Sequence, residues 1–173
     1  ELLTKGLGHK EFQETPIGKI PKEWELLKLG LVVDKVKGKK PEDTCKDNTH
    51  ECLPYLEAQV LRGMEAPKYV KPQNGIVVEP GDVVLIWDGS YAGEVFLVKE
   101  RGVLASTMVK LVPKLNKLNM RYLYYWLSHK GEPLRKQRKG TGIPHVSEQI
   151  FLNLPTALPP LEEQWGIAEV LSS

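Results

Sequence analysis

The chain has 173 residues, a length that fits one domain with short appendages, and its 41% apolar fraction is enough for a single core. A formal net charge of +2 gives no bulk-charge argument for a nucleic-acid partner, so only the distribution of charge can be informative. No apolar run approaches the ~20 residues that span a bilayer. The chain opens without a secretory leader, so a cytoplasmic location and reduced thiols at Cys45 and Cys52, its two cysteines, are expected. His50 is the one nearby partner for those thiols, too few for a four-ligand structural zinc site, so no metal is expected.

Residues 1–9 read as the frayed end of a helix, stopped by Gly6 and Gly8. Thr15-Pro16-Ile17-Gly18 and Ile20-Pro21 predict an extended linker, because a residue before proline is pushed out of the helical region. Trp24 to Leu29 alternates and predicts a first strand, running into a short helix over Leu29 to Asp34 or continuing without one. Lys35 to Pro41 reads as a strand end followed by a basic loop, and the polar run from Glu42 to Glu51 as a surface loop. Tyr55 to Leu61 predicts a strand, and Tyr69 to Lys71 and Ile76 to Val78 short extended pieces. After the Pro80-Gly81-Asp82 turn, Val83 to Trp87 is a continuous apolar run, the pattern of a strand buried on both faces. Glu94 to Lys99 and Met108 to Val112 predict two more strands, with Gly102 as the turn between them.

Asn119 is a candidate cap for a helix reaching His129, with Met120, Leu123, Tyr124 and Leu127 on one face. Gly131 ends it, and Pro133 begins a short basic helix that Gly140 closes. Ser147 caps a further turn or two, Leu154 to Leu158 is extended, and a last helix starts near Pro160 with Leu161, Trp165, Ala168 and Leu171 on one side. Several short strands followed by collected helices make the fold α+β, with a twisted, mixed β-sheet and helices mainly in the C-terminal half.

Charge is uneven along the chain. From Lys110 to Lys139 the basic residues are Lys110, Lys114, Lys117, Arg121, Lys130, Arg135, Lys136, Arg138 and Lys139, against the single acid Glu132. A segregated basic face is the footprint of a nucleic-acid binder, although a solvated helix face gives the same charges. Motifs for catalysis are missing. No acidic residue is followed two places later by lysine, the pair that metal-dependent nucleases use. There is no Gly-x-x-x-x-Gly-Lys-Ser/Thr loop and no His-Glu-x-x-His helix. The Pro-Pro step sits in Leu-Pro-Pro-Leu, not in the Asn/Asp-Pro-Pro-aromatic tetrad of amino-methyltransferases.

The opening Leu2-Leu3-Thr4-Lys5-Gly6-Leu7-Gly8-His9, the linker Thr15 to Trp24, Pro80-Gly81-Asp82 with Trp87-Asp88-Gly89, and Leu158-Pro159-Pro160-Leu161-Glu162-Glu163-Gln164 together resemble the specificity subunit of type I restriction-modification enzymes. The resemblance extends over essentially the whole chain and is most specific at its two ends. It implies one DNA target-recognition domain over 16–158, the C-terminal one of two. Residues 1–15 would be the end of a spacer helix and linker, and 159–173 the start of the next spacer helix, so both ends look cut from something longer. It also implies a non-catalytic chain without a cofactor of its own. S-adenosylmethionine, ATP and magnesium would belong to methyltransferase and restriction subunits, and the chain's own partner would be double-stranded DNA. A protein-interaction domain without DNA readout is the alternative.

On that reading, Arg135, Lys136, Arg138 and Lys139 are the first candidates for phosphate contacts, with Gly140, Thr141 and Gly142 offering backbone amides and a hydroxyl. Lys37, Lys39 and Lys40 form a second basic loop. Candidates for reading base edges are Arg62, Ser90, Tyr91, Ser106, Thr107 and His145. Tyr91 has a competing role as a cap on the sheet edge, and His145 as a hydrogen-bonded turn residue. Trp87 closes an apolar run and reads as core; Tyr122, Tyr125 and Trp126 can pack as well as stack.

Overall fold

Val83–Ile86 is buried at all four positions. Its alternating side chains divide between two cores: Val83 and Leu85 join one, Val84 and Ile86 the other. A strand with both faces covered has no polar positions, which is why the sequence reads there as an unbroken apolar run. The computed structural model describes residues 1–46, 51–136 and 142–173.

In chain order the elements are α1 (Leu2–Lys5), β1 (Phe12–Thr15), β2 (Gly18–Pro21), β3 (Glu25–Lys28), α2 (Leu29–Val32), β4 (Val33–Lys37), β5 (Thr44–Cys45), β6 (Leu53–Leu56), α3 (Ala58–Leu61), β7 (Tyr69–Val70), β8 (Val77–Val78), β9 (Val83–Ile86), β10 (Val95–Leu97), β11 (Gly102–Leu104), β12 (Met108–Pro113), α4 (Met120–Lys130), α5 (Glu132–Arg135), α6 (Glu148–Asn153), β13 (Pro155–Leu158) and α7 (Leu161–Ser172). An antiparallel sheet runs β10-β9-β12-β4. A second sheet, β5-β7-β6-β11-β8, is mixed, since β11 runs parallel to β6 and antiparallel to β8. Two small ladders, β1-β2 and β13-β3, complete the set. The α+β class predicted from the sequence is therefore found, with the strands divided among several small sheets.

One core lies between the antiparallel sheet and the helices. Tyr122, Leu123, Trp126 and Leu127 of α4 are fully buried there with Val83, Leu85, Val109, Leu111, Phe151 and Ile167. The other core lies between the two larger sheets and gathers Leu56, Val78, Val84, Ile86, Leu104 and Met108. Each fully buried aliphatic side chain contributes about 1.5–3 kcal/mol relative to exposure. Asn119 caps α4 as predicted, its Oδ1 accepting from the amides of Arg121 at 2.9 Å and Tyr122 at 3.1 Å.

Several sequence expectations are corrected. The linker before Trp24 is a β1-β2 hairpin, closed where Ile17 N donates to Thr15 Oγ1 at 3.3 Å. The stretch from Tyr55 to Leu61 is not one strand: the chain leaves β6 at Leu56 and turns into α3. Gly102 does not make a turn but begins β11, where a Cβ would meet Leu56 Cγ at 2.6 Å. The short basic helix is a single turn, capped at Lys136. On α7 the buried residues are Gln164, Ile167 and Ala168, whereas Trp165 is 61% exposed. Cys45 and Cys52 form a disulfide instead of free thiols. Cys45 pairs with Tyr69 of β7 and Leu53 with Val70, so one strand end gathers both cysteines to a Cα separation of 6.5 Å, within bridging reach. Among the described residues, no helix is long and apolar enough to cross a membrane.

Candidate nucleic-acid interface

Beyond β9 the chain enters a loop, Trp87 to Gly93, and three other segments converge on it. The amides of Trp87 and Asp88 both donate to Thr107 O, at 2.8 and 3.0 Å. Gly89 N donates to Pro144 O at 2.7 Å and Val146 N to Trp87 O at 2.8 Å, so Asp88 and His145 face each other as an isolated antiparallel bridge. Lys37, at the end of β4, donates to Asp88 Oδ2 at 2.5 Å. The segment after β4 is tied to the same edge by Gly38 N donating to Met108 O at 2.9 Å.

The loop is anchored from below. Trp87 packs edge-on against Phe151 at 5.5 Å, and Lys35 Nζ lies 4.7 Å from the Trp87 ring centroid. Trp87 is thus half-buried support, not a surface reader. Gly93, at φ 92°, closes the loop against α5, where a Cβ would lie 2.6 Å from the Leu134 carbonyl carbon. Only glycine combines that positive φ with that approach.

Arg62, just after α3, reaches the same place. Its Nε donates to Glu94 Oε1 at 3.2 Å, one terminal nitrogen to Glu94 Oε2, and the other to Gln59 Oε1 at 3.1 Å. Its guanidinium lies 4.3 Å from the centroid of the Tyr91 ring. The hydrogen bond to Glu94 holds the guanidinium's pKa above its ordinary value, against the opposing effect of burial. Tyr91 itself is 60% exposed. Ser90, Tyr91, Ala92, Glu94 and Arg135 line a shallow cavity of about 160 Å³.

Lys37, Arg62, Ser90, Tyr91, Thr107, Arg135 and His145 are therefore gathered around one loop from six stretches of chain. Lys39 and Lys40 are exposed in the segment that follows Gly38. Ser106 is half-buried beside Thr107, its amide donating to Tyr55 Oη at 3.2 Å. Gly142 is exposed; Arg138, Lys139, Gly140 and Thr141 lie outside the described residues.

Four of the basic residues between Lys110 and Lys139 have acidic partners in the fold. Lys110 pairs with Asp82 at 2.6 Å, Lys114 with Asp34 at 3.4 Å, Lys117 with Glu25 at 2.5 Å and Lys136 with Glu132 at 2.8 Å. The Lys136 hydrogen bond lowers the Glu132 carboxyl pKa. Arg135 turns toward the C-terminal carbonyls of α4, donating to Leu127 O at 3.3 Å and Ser128 O at 3.5 Å. Sequence reasoning missed Asp88 and Glu94, the acids that hold Lys37 and Arg62. A search for cations alone gives no signal for them. Among the described residues no group of three or more His, Cys, Asp or Glu side chains is placed to hold a metal.

The family model for the type I restriction modification DNA specificity domain matches residues 21–173. The chain belongs to this family. It is 44% identical over 164 residues to the type I restriction enzyme MjaVIII specificity subunit of Methanocaldococcus jannaschii, covering 94% of this chain and 38% of that subunit. The putative MjaX specificity subunit of the same organism is 25% identical over 177 residues, 100% of this chain and 42% of the relative. The specificity domain therefore spans about two fifths of the length of these relatives.

Solved structures give the same fold. The HsdS subunit from Thermoanaerobacter tengcongensis superposes with a TM-score of 0.68 at 23% identity, over 93% of this chain and 39% of that one. A chain from a structural study of complex assembly and conformational transition of the type I R-M system superposes with a TM-score of 0.72 at 24% identity, over 93% and 40%. The small sheets and C-terminal helices of this specificity domain are thus the architecture of solved specificity subunits.

Proposed function

We propose that this chain is a DNA target-recognition domain that reads one half of a bipartite duplex site and positions methyltransferase and restriction subunits there. The observation that carries the reading is the convergence on the Trp87–Gly93 loop. Donors and acceptors from Lys37, Asp88, Ser90, Tyr91, Thr107 and His145 meet on one rim of a domain from a DNA-specificity family. Base edges are read by such polar groups on short side chains, while cations fix the register on phosphates. Lys39, Lys40, Arg138 and Lys139 take the phosphate role, with Gly140, Thr141 and Gly142 beside them.

The domain is non-catalytic. S-adenosylmethionine, ATP and magnesium are carried by the methyltransferase and restriction subunits. Residues 16–158 form the reading body, and 1–15 and 159–173 lead to the spacer helices. The order of elements, a helix end before the first hairpin and a helix start after β13, supports the C-terminal of two recognition domains. Trp165 on α7 is 61% exposed and offers an apolar side chain for packing in the assembled enzyme.

The test is a domain swap. Residues 16–158 are replaced, in the full specificity subunit, by the equivalent segment of a relative with another target, and the methylated motif is sequenced. Replacement of one half of the motif is expected. An unaltered motif overturns the proposal.

A further inference from the structure

We propose that Tyr91 is a specificity-determining contact of this domain, presented to the DNA bases by Arg62 and Glu94 acting as positioning residues. The inference rests on the DNA-recognition reading and assigns roles within it.

Tyr91 stands at the crest of the Trp87–Gly93 loop, 60% exposed. An exposed aromatic side chain on a loop normally samples several rotamers, and a ligand must meet the cost of ordering it. Here the ring is already held. The Arg62 guanidinium lies 4.3 Å from its centroid and is itself fixed by both carboxylate oxygens of Glu94 and by Gln59. The Arg62 side chain is 18% exposed, so one side of this cation–π contact is shielded while the other face of the ring stays open to solvent. Glu94 N also donates to Tyr91 O at 3.0 Å, closing the turn beneath the ring.

On this proposal Arg62 supports the reader and does not read a base itself. A guanine contact uses the guanidinium fork bidentately, and that fork is occupied by Glu94. To read a base, Arg62 would have to abandon a half-buried carboxylate. The residue that remains presented is Tyr91, with an aromatic surface for bases or thymine methyl groups and a hydroxyl for a base edge. The shallow cavity of about 160 Å³ beside it, lined by Ser90, Ala92, Glu94 and Arg135, gives the contacted base room on that side.

The experiment uses the full specificity subunit assembled with its methyltransferase and a library of duplexes randomised across the target, with methylation of each sequence as the readout. Three variants are compared: Tyr91→Ala, Arg62→Lys and the domain swap. Tyr91→Ala is expected to relax preference about 10–100-fold at one or two positions within this domain's half-site, the range for one specific base contact. Arg62→Lys keeps the charge but loses the planar stack and the fork. It is expected to relax the same positions to a smaller degree, with the salt dependence of binding unchanged, because no phosphate charge is removed. A general structural defect would instead lower methylation of all sequences alike. Unchanged positional preference in Tyr91→Ala, or an Arg62→Lys variant that relaxes different positions, overturns the proposal. The swap separates the two levels: a motif rewritten by the swap but unmoved by Tyr91→Ala sinks only this inference, whereas an unmoved swap sinks the recognition reading itself.

Discussion

The indole Nε1 of Trp24 donates to Glu163 Oε2 at 3.0 Å, joining residues 139 positions apart. The other oxygen of Glu163 accepts the amide of Leu7 at 2.9 Å and lies 2.9 Å from His9 Nε2. One carboxylate, 12% exposed, thus gathers the end of α1, the entry to β3 and the start of α7. Both ends of the chain are fastened together at the point where the sequence carries its most distinctive motifs. Glu163→Gln puts an amide donor where only acceptors fit, so at least one of these donors loses its partner. Leu7 is 44% exposed, so water takes over its amide, and the expected cost is about 0.5–1.5 kcal/mol, the net contribution of one hydrogen bond. It is measured as a lowered denaturation midpoint with an unchanged slope.

Gln164 explains the next letter of the same motif. It is fully buried, and its Nε2 donates to Lys117 O and Pro159 O, both at 2.8 Å, while Oε1 accepts Asn119 N at 2.8 Å. Two donors and one acceptor are required at one position, which only an amide supplies. Gln164→Glu sets a carboxylate against two carbonyl oxygens. The variant is expected to lose about 3–5 kcal/mol, as for a buried charge without a partner, and more than Glu163→Gln does. Equal midpoints for the two variants would contradict this account.

These two residues also mark where the sequence was legible and where it was not. Elements set by local chemistry were readable: Asn119 as a cap, the buried strand Val83–Ile86, and Gly6 and Gly8, with φ of 65° and 76°, as a helix stop. Elements set by distant partners were not. The apolar pattern of α7 pointed to Trp165, because a buried glutamine reads as polar although its contacts lie 5 to 47 residues away. The Cys45–Cys52 bridge depends on both cysteines flanking β7, which their spacing does not reveal. At the candidate site, the aromatic and polar members of the loop could be picked out by type. Their order of importance could not, since Arg62 and Lys37 look like free cations until Glu94 and Asp88 are placed beside them.

Tyr122 gives a prediction with a pH signature. Its hydroxyl donates to Ala157 O at 2.8 Å inside the core, and burial pushes the phenol pKa well above its ordinary value. The folded state therefore keeps this proton after the unfolded chain has released it. With the folded pKa raised, the contribution is complete below the unfolded value near ~10 and is lost as pH rises beyond it. Tyr122→Phe is expected to cost about 1 kcal/mol at neutral pH through the lost hydrogen bond. Above pH ~10 the parent loses stability more steeply than the variant, by about 1.4 kcal/mol per pH unit, one proton's worth. Parallel alkaline stability curves would show that the buried phenol is not the group responsible.

The pairing of lysines with acids makes a prediction about salt. A cation that neutralises a phosphate releases a counterion, and each release adds about 0.9 to the slope of log K against log salt. Lys37 and Lys136 already have carboxylate partners, Asp88 at 2.5 Å and Glu132 at 2.8 Å. Contact with a phosphate would have to compete with those acids, so each is expected to carry less than a full counterion. Arg138 and Lys139, next to Gly140, have no acid within four residues in sequence on either side. Arg138→Ala with Lys139→Ala is therefore expected to weaken cognate and random duplex alike and to flatten the slope by about two counterions. Lys37→Ala with Lys136→Ala is expected to flatten it by less than about one. Salt titrations of duplex binding by the intact subunit with its methyltransferase partner distinguish the two pairs. An equal change in slope for both would mean that the acids release their lysines on binding, and that these ion pairs do not limit phosphate contact.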